Sequence, residues 1–329
     1  MEWLVSAMAG YPLWVWLMFM GGVLALLAFD LGVLQKDGRE IDVKQSLKLS
    51  AFYIGVGLAF GGWVWWYRGA DAGVQYLTGY LLEKSLSLDN VFVISMIFGS
   101  MAVPRAYQHR VLFWGILGAI VMRAVMIGAG AALVSSFHWV LPLFGAFLLI
   151  AGLKMLFSGD EDSKPLAEQG LYRWLSRRMR LTAGLHGNAF AVRGEKHGLA
   201  AGWWATPLLL TLILVESADL VFALDSIPAI FAVTQDPFLV YTSNIFAILG
   251  LRALYFALAA MVHRFDYLKY ALSLVLVLIG VKVGLAYFHD AGWIGFKLPT
   301  EWSLILTMLL LGGGVLVSWL KTSNPRDAI

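Results

Sequence analysis

Apolar blocks of about twenty residues recur along the whole chain, the length a helix needs to cross a hydrocarbon core of about 30 Å. In lipid the backbone must satisfy its own hydrogen bonds, and a helix does so within each block. Composition agrees: 60% of the 329 residues are hydrophobic and 14% are charged. A soluble domain carries about a quarter charged residues to cover its surface. The expected fold class is all-α membrane, with the chain forming a single transmembrane domain over 1–329. Nine spans are predicted, over Leu13–Val33, Leu47–Tyr67, Gly73–Ser100, Val111–Val134, Trp139–Phe157, Thr206–Val233, Leu239–Val262, Tyr270–Phe288 and Ser303–Leu320. Glu2, with no Lys or Arg before the first block, argues against a cleavable signal peptide.

Basic residues divide sharply between alternate connections. Seventeen Lys and Arg fall on one side, from the Lys36–Lys48 group through Arg105, Arg110, the Lys164–Lys196 stretch, Arg264 and Lys269 to Lys321 and Arg326. The other side holds Arg68 and Lys297. Positive residues mark the cytoplasmic side, which predicts the N-terminus outside, the C-terminus inside, and a multi-pass protein of a bacterial inner membrane. The net charge of +3 thus speaks to topology and lipid, not to nucleic acid. The long cytoplasmic connection, 158–203, places Leu171, Trp174 and Leu175 on one helical face amid arginines. That pattern fits a helix on the anionic leaflet or an ordinary charged linker. Residues 190–196 have the makings of a short hairpin.

Charges inside the blocks repeat in order. Asp89-Asn-Val-Phe matches Asp219-Leu-Val-Phe, Met-Arg123-Ala matches Leu-Arg252-Ala, and Gly152-Leu-Lys154 matches Gly280-Val-Lys282, at offsets of 130, 129 and 128. Two three-helix units result, 73–157 and 206–288. An odd number of crossings inverts the second copy, the inverted-topology architecture of many secondary transporters.

Glu83, Asp89, Arg123, Glu216, Asp219, Asp225 and Arg252 lie well inside their spans. Facing lipid, seven charges would cost roughly 17–25 kcal/mol, more than the about 5–15 kcal/mol that keeps a domain folded. They must pair, line water or hold an ion. Arg123 and Arg252 can neutralise two of the five acids, which leaves negative charge for a divalent cation or for exchangeable protons. Glu216 and Asp219 share a helical face. Pro228 frees the carbonyl of Leu224 and predicts a kinked or broken sixth span that lets the carboxylates converge. Ser85, Ser87, Asn90, Ser217, Ser226 and Asn244 add neutral oxygens.

The chain has no cysteine, and its six histidines fall in loops or at span ends. An oxygen-only ligand set prefers Mn²⁺, Mg²⁺ or Ca²⁺ over Zn²⁺ or Cu⁺. Met96, Met122 and Met126 read as packing residues. Lys154 and Lys282 either snorkel or serve the site. Lys84 is expected to pair locally with Glu83, and Asp30 to be solvated near the cytoplasmic end of the first span, with gating as its other reading. No nucleophile–base pair or hydrolase motif points to an enzyme, and no permanently bound cofactor is expected.

The segments Glu83-Lys-Ser-Leu-Ser-Leu-Asp89-Asn-Val-Phe, Glu216-Ser-Ala-Asp219-Leu-Val-Phe-Ala-Leu-Asp225-Ser-Ile-Pro and Tyr241-Thr-Ser-Asn-Ile-Phe-Ala-Ile-Leu-Gly-Leu-Arg252-Ala-Leu-Tyr closely resemble the signature segments of the TerC family. Ala-Phe-Asp30-Leu-Gly extends the likeness to the first span. Within that family the chain resembles the manganese exporters of bacterial inner membranes. The resemblance implies Mn²⁺ efflux, with metal-site acids at Glu83, Asp89, Glu216, Asp219 and Asp225. The other class of function open to these residues is a membrane scaffold or assembly factor, its charges locked in structural ion pairs and its cytoplasmic loop a docking surface.

Overall fold

The computed structural model describes residues 7–8, 10–34, 43–137, 139–157, 170–258, 268–296 and 298–322. It is mostly helical. A two-stranded turn, β1 (Ala7–Met8) and β2 (Tyr11–Pro12), leads into α1 (Leu13–Leu34). There follow α2 (Val43–Arg68), α3 (Ala70–Ser100), α4 (Arg105–Ser136), α5 (Val140–Phe157) and the short α6 (Gly170–Arg178). A small hairpin, β3 (Ala191–Arg193) and β4 (Trp203–Ala205), precedes α7 (Pro207–Val233). The chain closes with α8 (Pro237–Ile248), α9 (Leu251–Leu258), α10 (Leu268–Asp290) and α11 (Thr300–Thr322).

All nine segments predicted to cross are helical over most of their described length. Among the described residues, seven helical stretches are both long and apolar enough to span: Leu13–Asp30, Lys44–Arg68, Arg105–Ser136, Val140–Phe157, Pro207–Val233, Pro237–Ala257 and Tyr270–His289. The predicted spans in α3 and α11 fall short for different reasons. α3 is long but carries Asp71, Glu83, Lys84 and Asp89, and the apolar stretch of α11 is confined to Trp302–Ser318. Large apolar side chains such as Val125 and Ile150 are about two-thirds exposed, at 67% and 66%, the arrangement a lipid-facing helix requires. Met96 belongs to that outer surface, at 44% exposed, and not to the core expected of it.

Two departures concern where helices break. α7 remains helical through Pro228 to Val233, so the sixth span is not broken there. The break falls in the seventh, which was read as one helix. Asp236 caps α8, accepting from the amides of Phe238 and Leu239 at 2.9 and 3.4 Å, with Pro237 in the first turn. The helix stops at Leu249, and Gly250 takes φ +80° before α9 begins. Glycine is required there twice over. The conformation is left-handed, and a Cβ would lie 2.6 Å from Cβ and Cγ of Tyr53 on α2.

The inner packing pairs α3 with α7 and α8, α4 with α7, and α5 with α10. α5 and α10 meet backbone to backbone. A Cβ on Gly280 would lie 2.8 Å from the Gly145 carbonyl oxygen, and one on Gly152 would lie 2.8 Å from that of Ser273. Small residues give membrane helices this close approach. An aromatic cluster from α1, α2 and α8 (Phe19, Phe60, Phe238 and Phe246) fills another part of the core.

The predicted hairpin exists but spans more chain, Ala191 to Ala205, with a 3₁₀ turn at Gly194–His197 inside it. Of the apolar face predicted on α6, the Leu171 side chain lies outside the described residues and the other two members diverge. Leu175 is buried against the bundle while Trp174 is 57% exposed.

Candidate functional site

Arg123, on α4, is wholly buried and organises the centre of the bundle. Its Nη1 donates to Glu83 Oε1 of α3 and, at 3.2 Å, to Asn244 Oδ1 of α8. Its Nη2 and Nε donate to the two carboxylate oxygens of Asp219 on α7, at 2.9 and 3.2 Å. This bidentate fork fixes the orientation of Asp219. Asn90, one residue beyond Asp89, donates to Asp219 Oδ1 at 3.3 Å. Four helices, α3, α4, α7 and α8, therefore converge on one guanidinium.

The polar demand is not met. Among the described residues, Glu83 Oε2, Asn90 Oδ1, Asn244 Nδ2, Glu216 Oε2 and Ser226 Oγ are buried without a hydrogen-bond partner. Such atoms normally find partners or hold water or an ion, because leaving one bare costs about 1–3 kcal/mol. Ser85, Ser87 and Ser217 donate instead to carbonyls one turn back in their own helices. Glu216, one turn before Asp219, rests its carboxylate against Gly118 of α4, where a Cβ would lie 1.9 Å from Oε1. Glu83, Asp219 and Glu216 thus set three carboxyl groups around the one guanidinium of Arg123.

Asp219 borders a small cleft of about 30 Å³, walled otherwise by apolar residues of α3, α4, α7, α8 and α9, among them Ile94, Ile116 and Leu251. An adjoining space of about 20 Å³ brings in Asn90 and Phe222. The polar cluster meets these spaces at Asp219.

Among the described residues no group of three His, Asp or Glu side chains is placed to hold a metal ion. Two of the five predicted acids are not covered by that statement: the side chains of Asp89 and Asp225 lie outside the described part of α3 and α7.

Three expectations about the remaining charges are corrected. Asp30 is 7% exposed, not solvated; its Oδ2 pairs with Arg252 at 2.8 Å, and the same guanidinium donates to its backbone carbonyl at 2.7 Å. Arg252 therefore neutralises an acid of α1, outside the five. Lys84 turns away from Glu83 and donates to the Ala247 carbonyl at 3.0 Å, on the last turn of α8. A cation there meets the negative end of a helix whose carbonyls the break leaves unsatisfied. The matched lysines also diverge, Lys154 being exposed and Lys282 buried. Nothing in the sequence marked the Lys84 contact, whereas Leu-Gly250-Leu beside Arg252 was a legible signal for the break.

The family described as Integral membrane protein TerC family matches residues 68–326. The chain belongs to the TerC family. Its relatives include an "Uncharacterized membrane protein STKORF319" of Myxococcus xanthus, 46% identical over 310 residues, which cover 94% of this chain and 93% of that one. The "Putative membrane-bound redox modulator Alx" of Photorhabdus laumondii is 47% identical over 311 residues, covering 92% and 95%. The protein of that name in Escherichia coli K12 is 47% identical over 289 residues, covering 85% and 88%. No solved structure matches the chain. This TerC chain is an integral, multi-pass membrane protein whose central charges come from the matched segment, with Asp30 contributed from before it.

Proposed function

We propose that this TerC chain is a secondary transporter that exports a divalent metal cation, manganese foremost, through its buried carboxylates and in exchange for protons that recharge them. One observation carries the reading. Among the described residues, acceptor oxygens of Glu83, Asn90 and Glu216 are buried without donors around an Asp219 that borders a small cleft. Three carboxyl groups around one guanidinium suit a dication or exchangeable protons, and the donors are hard oxygens suited to Mn²⁺. The metal is cargo, with Glu83, Asp89, Glu216, Asp219 and Asp225 as its ligands, Asn90 and Asn244 as neutral neighbours, and Arg123 holding Glu83 and Asp219 in place.

The reading includes nine crossings, with α3 and α11 among them, the N-terminus outside and the C-terminus in the cytoplasm. Glu83 and Lys84 of α3 are tolerated because their partners are protein groups and not lipid. It also includes an inverted repeat of α3–α5 and α7–α10. The packing supports this, for exchanging the two units maps the α4–α7 contact onto the α3–α8 contact and leaves α3–α7 and α5–α10 in place. The relatives' name, redox modulator, is compatible: manganese cycles between oxidation states, and exporting it alters redox balance without a redox group in the carrier.

Saturation of Arg123 by Glu83, Asp219 and Asn244 favours a second reading, a scaffold with structural ion pairs. Proteoliposomes holding the purified chain separate the two. Mn²⁺ flux that depends on a pH gradient, and that Asp219→Asn abolishes while membrane abundance holds, supports transport. Normal flux in that variant overturns the carboxylate site.

A further inference from the structure

The basic segment between α5 and α7 carries large aromatics on its surface. Trp174 of α6 is 57% exposed and Trp203 of β4 is 65% exposed, each with an arginine over its ring: Arg178 at 5.8 Å and Arg193 at 5.5 Å from the ring centroids. Arg177 is exposed on the same short helix. In water these indoles would waste apolar surface; at a headgroup layer the indole sits among glycerol and acyl carbons while the guanidinium meets phosphate.

The segment is fixed to the bundle, not a free linker. Leu175 is buried, with Tyr172 and Met179 packed against the same core. The Ala205 amide donates to the Arg180 carbonyl at 2.8 Å, and the Thr182 amide donates to the Ala205 carbonyl at 2.9 Å. Thr206 then ties the start of α7 back to the carbonyl of Ala189 at 2.7 Å. Since Pro207 begins a membrane-spanning helix, the hairpin is held at the membrane boundary.

We propose that α6 and the β3–β4 hairpin form a docking surface for anionic phospholipid of the surrounding bilayer, with Arg177, Arg178 and Arg193 as the phosphate contacts and Trp174 and Trp203 as the interfacial anchors. The charge of the surface selects the occupant, because basic residues gain from an anionic leaflet and not from a zwitterionic one. Glu195 and His197, exposed in the intervening turn, and the nearby Lys196 leave the local charge positive. The proposal rests on membrane insertion alone and stands apart from the transport reading.

The absence of cysteine makes a direct test possible. A nitroxide at Trp174→Cys, in the otherwise intact full-length chain, reports depth through its collisions with oxygen and with a water-soluble nickel chelate. In vesicles of phosphatidylcholine with phosphatidylglycerol, the label is expected to be less exposed to water than in phosphatidylcholine alone, because anionic headgroups pack over the anchored surface. Replacing Arg177, Arg178 and Arg193 by Gln should lower the preference of this surface for phosphatidylglycerol over phosphatidylcholine on the order of a hundredfold, at about 1 kcal/mol per basic residue near an anionic surface. Lysine at the same three positions should keep most of it, which separates charge from misfolding. Equal water exposure in both vesicles overturns the proposal, as does burial of the label that appears only when a soluble acidic protein is added.

Discussion

Replacing Gly118 by Ala tests whether the position of Glu216 matters. A Cβ at 118 would lie 1.9 Å from Glu216 Oε1 and 2.5 Å from its Cδ, whereas ordinary contact begins near 3.4 Å. The carboxylate must therefore withdraw by about 1.5 Å. It is the free end of a flexible side chain, so the cost is an off-rotamer torsion of about 0.5–1.5 kcal/mol. Alanine in a helix interior returns roughly 0.5–1 kcal/mol relative to glycine. Stability should barely change. Function should not survive so well, since misplacing a reactive or liganding group by an ångström costs on the order of a hundredfold. The assay is Mn²⁺ flux into proteoliposomes beside a thermal melt of the detergent-solubilised chain. The expected result is a melt within a few degrees of the parent and flux reduced about a hundredfold. Adding Glu216→Asp, one methylene shorter, should restore part of the flux. Parental flux in Gly118→Ala refutes the role of Glu216; a collapsed melt refutes the claim that the carboxylate gives way first.

Gly250→Ala should lower the melting temperature by several degrees, because a left-handed non-glycine residue costs about 1–3 kcal/mol and its Cβ strikes Tyr53; an unchanged melt means the α8–α9 break is not anchored there. Asp30→Ala strands a buried Arg252 and should cost about 3–5 kcal/mol, most of which returns when Arg252→Met is added, a double-variant cycle read by denaturant or heat. Tyr11→Phe keeps the stack on Phe238 at 4.2 Å but loses the 2.8 Å hydrogen bond to Asp236, a loss of about 1.5–3 kcal/mol in stability. Burial, followed by the Asp236 carboxylate, holds the Tyr11 phenol well above its ordinary range, so it keeps the proton it donates and the loss should be constant across neutral pH.

The helices were legible because lipid leaves the backbone few options, and the central charges because each is too costly to leave unmatched. Their partners were not. Repeat spacing makes Arg123 and Arg252 equivalents, yet Arg123 gathers Glu83 and Asp219 while Arg252 turns to Asp30 on α1, a helix outside the repeat. A pattern along the chain cannot show which neighbouring helix supplies a counter-ion. Pro228 is a real local constraint, but surrounding helices keep α7 helical through it. Gly250 does break its helix because packing against Tyr53 and a left-handed backbone coincide there. Likewise Lys84 finds the end of α8, a contact that exists only once the break does.

The glycine contacts between α5 and α10 have a mechanical consequence. At Gly145, Gly152 and Gly280, backbone atoms and the stiff β-branched Val277 and Val283 leave little side-chain freedom to absorb a slide of one helix along the other. These two helices behave as a welded pair. Any rearrangement that opens the Asp219 cleft to alternate sides must pivot around that pair, with the moving joints at contacts made through side chains, such as α3 on α7 and α4 on α7.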